Sequence, residues 1–296
     1  MAARRVAVLS DVHGFLTALR AVLAEIDSLG IAEIVVAGDT VNFGPKSAEV
    51  VDLLRERNAR MIRGNHEIEL IVPWHLVTTG QATEADIPAL GGPAGLMSSP
   101  RYCAAQWTNQ QLGPERRAFL SALPDRLALD ECTIVTHGSP RGVRDGIRPE
   151  HTADELRTKW NADPATLVFV GHIHRPHIAD IPPSDPTEPP RRFVNVGSVG
   201  MNLDGDPRAA YAIAEHDLAG DPFSWNVTLR RIAYDVDAAL REYDDGMRDA
   251  CPEYVESFSR QVRTGNHYFG PWVRLSQHLP DDALLASLRQ YLDDHP

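Results

Sequence analysis

Residues 4–14 read RRVAVLSDVHG: a four-residue apolar run, Val6 to Leu9, that breaks off into a carboxylate, an imidazole and a glycine. Such a run is too short for a helix and suits a buried strand. The pattern then repeats along the chain. Phe15 to Leu29 has helical apolar spacing, and Glu33 to Ala37 is again strand-like. After the turn at Gly44 and Pro45, Ser47 predicts an N-cap for a helix reaching about Asn58, and Arg60 to Ile62 forms a third strand. A βαβαβ opening implies a largely parallel sheet, in which ligands sit beyond the carboxyl ends of the strands.

Polar residues gather at those ends. The blocks are Asp11-Val12-His13-Gly14, Gly38-Asp39, Gly64-Asn65-His66-Glu67, Thr136-His137-Gly138 and Gly171-His172-Ile173-His174. Residues two apart on an extended segment share a face, so Asp11 can meet His13, and His172 can meet His174. Any one block could be a cap or a satisfied core histidine. Five in succession, each closing an apolar run, predict a metal site. Glu67 reads as the start of the next helix, where a carboxylate favours the positive end of the dipole. His75, His151, His216, His267, His278 and His295 stand outside these blocks.

Residues 73–100 are rich in glycine, proline, serine and threonine and predict an irregular excursion. Helices are expected near Tyr102 to Leu112, Glu115 to Ala122 and Ala153 to Trp160. Strands are expected at Leu127 to Leu129, Thr133 to Val135, Leu167 to Val170, Phe193 to Val196, Ala209 to Glu215 and Trp225 to Tyr234, the last two as an antiparallel pair. Five prolines between Pro182 and Pro190 predict a stiff surface loop. The division expected is a core over residues 1–234, containing the excursion, and a helical appendage over 235–296.

Composition narrows the function classes. Of 296 residues, 43% are hydrophobic and 24% charged, which excludes a disordered chain. The net charge is −12 and the lysines are Lys46 and Lys159 alone, which argues against a generic grip on nucleic acid. No apolar run approaches the ~20 residues that span a bilayer. With no signal-like apolar region near the start, a cytoplasmic protein is expected. Cys103, Cys132 and Cys251 are odd in number and widely spaced, so three buried thiols are expected rather than a disulfide.

The ordered blocks from Asp11 to His174 resemble the calcineurin-like metallophosphoesterase superfamily. Asn195-Val196-Gly197-Ser198 and Gly205-Asp206-Pro207-Arg208 look like the end of the core in its small bacterial phosphodiesterase-like branch. The resemblance implies an α/β fold, a two-sheet β-sandwich flanked by helices, here with a C-terminal helical appendage. It implies a binuclear centre in which Asp11, His13 and His174 hold one ion, Asn65, His137 and His172 the other, and Asp39 bridges them. Two divalent ions against two carboxylates and a bridging hydroxide leave a small positive charge, attractive to a phosphate oxyanion. Mixed imidazole and carboxylate ligation favours Mn2+ first, with Fe, Zn, Co or Ni as substitutes, over Mg or Ca.

In the same resemblance His66 binds phosphate and protonates the leaving group. The serine/threonine phosphatase branch continues the second block as GDxxDRG, whereas this chain reads Gly38-Asp39-Thr40-Val41-Asn42-Phe43-Gly44. Asn42 can hold the imidazole of His66 but cannot stabilise its cation as a carboxylate does, and Phe43 replaces the arginine that clamps phosphate. Arg141, Arg144 and His177 are the candidates for substrate contact. The expected activity is hydrolysis of a small phosphodiester, a nucleotide among the candidates, by metal-bound hydroxide. A phosphomonoesterase and a non-catalytic scaffold on the same fold are the alternatives.

Overall fold

The computed structural model describes residues 4–216 and 225–295 and places every expected strand within two residues of its expected bounds. The opening unit is β1 (Arg4–Leu9), α1 (Leu16–Ser28), β2 (Glu33–Val36), α2 (Ser47–Glu56) and β3 (Arg60–Met61), with β1, β2 and β3 parallel. It is followed by α3 (Val72–Thr78), α4 (Cys103–Ser121), β4 (Arg126–Ala128), β5 (Thr133–Thr136), α5 (Ala153–Trp160), β6 (Leu167–Val170), β7 (His177–Ile181) and β8 (Arg191–Asn195). The chain then returns through β9 (Ala209–His216) and β10 (Trp225–Ile232). One sheet has the order β10-β9-β1-β2-β3 and the other β4-β5-β6-β8-β7. The pair β9 and β10 is antiparallel, as expected.

Alternation along the strands builds four layers. Val6, Val8, Val35 and Ala37 of the first sheet join Val135, Phe169, Val194 and Val196 of the second in one buried cluster, the interior of the sandwich. The intervening Ala7, Leu9, Ile34 and Val36 pack with Leu19, Val22 and Ile26 of α1. On the outside of the second sheet, Ile134, Val168 and Phe193 pack with Leu156 and Trp160 of α5. A single residue of register slip would exchange these faces, which is why the pattern fixes the fold.

The last helices are α6 (Val236–Arg241), α7 (Met247–Ala250), α8 (Pro252–Thr264), α9 (Phe269–Leu275) and α10 (Asp281–Asp294). Leu240, Tyr243, Tyr254, Phe258 and Leu288 join the cluster that contains α1, so this segment covers the outer face of the first sheet. Tyr243 also donates a hydrogen bond from its hydroxyl to the Phe43 carbonyl (3.0 Å), tying the segment to the loop after β2. None of the helices among the described residues is long and apolar enough to cross a membrane.

Two expectations need correction, and one strand is new. The excursion at 73–100 opens inside a helix, because Pro73 sits in the first turn of α3, where its missing N–H costs nothing. Residues 177–181 form an edge strand paired antiparallel with β8. Prolines at 176 and 182 mask its short alternation. Cys103 and Cys251, 148 residues apart, form a disulfide between α4 and the residue before α8, while Cys132 lies outside that bond and is half-buried. The two helices expected on either side of Gly113 and Pro114 run together as α4, with a kink at Gly113 (φ 67°).

Candidate metal centre

All five blocks lie at the carboxyl ends of β1, β2, β3, β5 and β6, and backbone bonds lace them together. Asp11 N donates to Gly38 O (3.1 Å), His13 N to Asp39 O (3.0 Å) and Gly171 N to His137 O (2.9 Å). The residues after β8 close the ring: Ser198 Oγ donates to Asp11 O (2.7 Å) and Asn195 Nδ2 to Gly171 O (2.7 Å). Two glycines are dictated by this packing. A Cβ on Gly171 would fall 1.9 Å from Ser10 Oγ, and one on Gly64 would fall 2.1 Å from Asp39 Oδ1.

Asp11, His13, Asp39, Asn42, Phe43, His172 and His174 all have φ between 50° and 74°. Left-handed backbone in residues other than glycine costs ~1–3 kcal/mol each and persists where surrounding structure imposes it, typically at functional sites. Here it turns the side chains back over the strand ends.

The polar atoms of the five blocks come together over the strand ends. Three overlapping groups could hold a metal ion: Asp11, His13 and His174, all buried; Asp39, His137 and His172, the last half-buried; and His13, Asp39 and His66, which links the other two at the rim. His13 Nε2 and His174 Nε2 approach to 3.1 Å, and His174 Nε2 lies 3.0 Å from Asp11 Oδ1. Asn65 Oδ1 stands 3.2 Å from His137 Nε2 and 2.9 Å from His172 Nδ1. Asp39 Oδ2 is 3.2 Å from His137 Nε2 and 3.8 Å from His13 Nε2, between the two groups.

The donor chemistry fits a cation. His13, His137 and His174 each point Nδ1 at a backbone carbonyl, Val41 O (3.2 Å), Ala37 O (2.7 Å) and Met201 O (2.6 Å). A proton held there leaves the Nε2 lone pair facing inward, the arrangement that orients a metal-ligating histidine. Asp11 Oδ1 is buried, and its near neighbour His174 Nε2 has no proton to donate in that tautomer. An ionised, fully buried oxygen left unpaired is costly unless a positive charge meets it.

Within the protein alone, imidazolium supplies that charge. Against burial, the charges of Asp39 and Asp11 push His137 up to about 10, and Asp11 also raises His174. Burial would raise Asp11, yet His174 and His137 hold it down to about 2. Burial and the neighbouring charge of His66 depress His13 to about 3, and burial with His137 depresses His172 to about 4.

His66 sits at the rim, its ring 4.8 Å from that of His13 and 4.7 Å from that of Phe43. Asn42 Nδ2 lies 2.9 Å from His66 Nδ1. Burial lowers the His66 pKa, with Asp39 pulling the other way. Arg144 is close enough for its charge to act on His66, but its guanidinium is paired with the Glu69 carboxylate. Arg141 is exposed on the turn after His137, near Asp145. His177 opens the edge strand β7 with Nδ1 2.8 Å from Arg175 O, outside every group of atoms able to hold a metal.

Glu67 plays a part that its position at a helix start hid. Its buried carboxylate accepts from Gly64 N (2.8 Å) and Asp39 N (3.0 Å) on one oxygen, and from Thr40 N (2.8 Å) and Val41 N (3.4 Å) on the other. It thereby fastens the loop after β2 to the loop after β3. Burial and the nearby Asp39 raise its pKa to about 7. The π-helical turn Glu67–Ile71 swings this side chain inward, and π turns are concentrated at functional sites. Each buried donor left without an acceptor costs ~1–3 kcal/mol, so Glu67→Ala should destabilise the metal-free protein by about 3 kcal/mol or more. Urea denaturation checks this, and an unchanged midpoint would contradict the fastening role. The GNHE block contained the signal, but only tertiary contact shows which backbone it grips.

Comparison with known proteins shows what the chain as a whole resembles. A family model described as "Calcineurin-like phosphoesterase superfamily domain" matches residues 5–218. Among curated proteins, an uncharacterised protein of Methanocaldococcus jannaschii is 27% identical over 267 residues, covering 84% of this chain and 95% of its own. A solved metallophosphoesterase from Sphaerobacter thermophilus superposes with a TM-score of 0.63 at 27% identity, over 89% of this chain and 99% of that one. A hypothetical protein from Pyrococcus horikoshii shares the fold at a TM-score of 0.66 and 20% identity, with the same coverage.

Proposed function

We propose, starting from the fact that this chain belongs to the calcineurin-like phosphoesterase superfamily and is a hydrolase of phosphate esters, that its substrate is a small phosphodiester. In this reading Asp11, His13 and His174 hold one divalent transition-metal ion, Asn65, His137 and His172 hold a second, and Asp39 serves both, with manganese the first choice. The supporting observation is the pair of buried donor groups with the Asp39 carboxylate between them. When bound, such ions would lower the pKa of a shared water and offset charge on the phosphate oxygens.

The protein's own residues supply the rest. His66, steadied by Asn42, delivers a proton to the departing ester oxygen. The core over 1–234 carries the chemistry, and 235–296 shapes access to it. A monoester brings nearly two negative charges and rewards extra cationic clamps, whereas a diester brings one. Phe43 offers no charge, and Arg144 is committed to Glu69. A diester is therefore the better match.

After manganese loading, kcat/KM for bis-p-nitrophenyl phosphate should exceed that for p-nitrophenyl phosphate, with loss of both activities on chelation and recovery when metal is returned. A clear preference for the monoester would favour the phosphatase reading, in which Arg144 leaves Glu69 and clamps the substrate. Loaded protein that hydrolyses neither ester would point to a scaffold.

A further inference from the structure

A cavity of about 220 Å3 opens beside His66, between the loop after β2, the start of α4 and the helices α8 and α9. We infer that it seats a flat aromatic ring carried on the leaving side of the phosphate ester, the ring of a phenol or of a nucleobase. The inference rests on the phosphoesterase reading above and names the substrate class that this site would take.

Continuity with the centre is the first argument. His66 and Asn42 line the cavity, so the imidazole that would protonate the leaving oxygen stands at its mouth. A group attached to that oxygen enters the cavity and not the solvent. The walls are the second. Phe43 and Phe258 lie 4.9 Å apart, Phe258 and Phe269 5.1 Å, Tyr254 and Phe269 5.4 Å, and Phe269 and Trp272 5.6 Å, in tilted or edge-on pairs. A further ring can add edge-to-face contacts to such a cluster, which an alkyl chain cannot. The space is below the ~300–1,000 Å3 of sites for drug-sized ligands, which limits it to one ring system.

Two polar groups narrow the chemistry. Asn42, only 4% exposed, has a buried Oδ1 with no partner among the described residues, and its Nδ2 is occupied by His66. It lacks a donor, which a ring substituent such as an amine or hydroxyl supplies. Arg101, also on the cavity wall, donates to Ser276 O (3.3 Å) and Leu279 O (3.2 Å) and pairs with no carboxylate among the described residues. A guanidinium so placed favours the negative face of an aromatic ring. The ring-bearing wall formed by Tyr254, Phe258, Phe269 and Trp272 lies beyond residue 218, where the family match ends. The selectivity would therefore belong to the helical segment and not to the shared core.

The test compares two methyl phosphodiesters on the full-length, manganese-loaded protein, one with a phenyl and one with a hexafluoroisopropyl leaving group, alcohols of similar acidity. The phenyl ester should have a kcat/KM about tenfold higher, the value of one or two aromatic contacts. Filling the cavity with Val273→Phe should erase that ratio, chiefly through KM for the phenyl ester. In calorimetry, wild-type protein should bind phenylphosphonate more tightly than ethylphosphonate, a readout that needs no variant and no turnover. The methyl esters of adenosine 5′-phosphate and of ribose 5-phosphate, which share a leaving alkoxide, distinguish the sources: a preference for the adenosine ester larger than that of phenyl over hexafluoroisopropyl identifies a nucleobase. Equal turnover of phenyl and alkyl esters, with equal binding of the two phosphonates, overturns the inference and leaves the phosphoesterase reading intact. Absence of any hydrolysis overturns that reading instead, and the phosphonate comparison then still decides whether the cavity takes a ring.

Discussion

Asp39→Asn is expected to cost more activity than any other single exchange among the proposed ligands. The carboxylate is 2% exposed, and its Oδ2 lies 3.2 Å from His137 and 3.8 Å from His13, each in a different proposed ligand set. Removing its charge takes away one of the two anionic ligands proposed and weakens both ions at once. The asparagine keeps an oxygen for the backbone N–H of His66, which Asp39 Oδ1 now accepts at 2.8 Å, so the loop itself should hold. Groups that merely stand behind metal ligands cost ~10–100-fold when removed, so kcat/KM should fall by more than about 100-fold. Bound metal measured by elemental analysis should drop by at least half, with circular dichroism unchanged. Asp11→Asn should cost less, because Asp11 is proposed to ligate one ion only, 3.0 Å from His174, and lies 3.9 Å from His137 of the other group. An Asp39→Asn protein with full metal content and near-normal turnover would end the two-ion reading.

Asp39 was legible in the sequence, while Glu67 was not in its actual role, because the two signals reside in different places. The position of Asp39 depends on a strand ending and a glycine turning the chain, both local events written as an apolar run and a Gly38-Asp39 step. The same locality exposed Asp11, His13, Asn65, His137, His172 and His174. Glu67 is defined by the backbone of residues 39–41, which only tertiary packing brings to it. The bond between Cys103 and Cys251 is of the same kind: a spacing of 148 residues carries no pairing information until α4 and α8 are docked. Strand β7 failed for a different reason. Its five residues between prolines bury little on one face, so neither propensity nor periodicity separates them from a loop. The aromatic lining from α8 and α9 reads in sequence as ordinary amphipathic helix, since a ring facing a cavity and a ring facing a core have the same spacing.

His66→Ala should leave metal content nearly unchanged while lowering kcat by about 10²–10⁴, the range for a positioned proton donor. The geometry makes this a demanding test, because His66 Nε2 also comes within 3.9 Å of Asp39 Oδ2 and could be taken for a ligand. The roles are separated by the partner at Nδ1. Asn42 Nδ2 donates toward that nitrogen at 2.9 Å, so the ring proton belongs on Nε2, the side facing the centre. A ligand would need a bare Nε2, as His13, His137 and His174 have by directing Nδ1 at carbonyl oxygens. Loss of His66 should therefore hurt esters with alkoxide or ribose leaving groups, which need a proton, far more than p-nitrophenyl esters, whose phenolate departs without one. Asn42→Ala should show the same dependence on leaving group at smaller amplitude, because it frees the ring without deleting it. Equal losses on both kinds of ester would assign His66 to orienting phosphate, and loss of metal would make it a ligand. The unequal loss is what a ring held by an amide donor at Nδ1 implies.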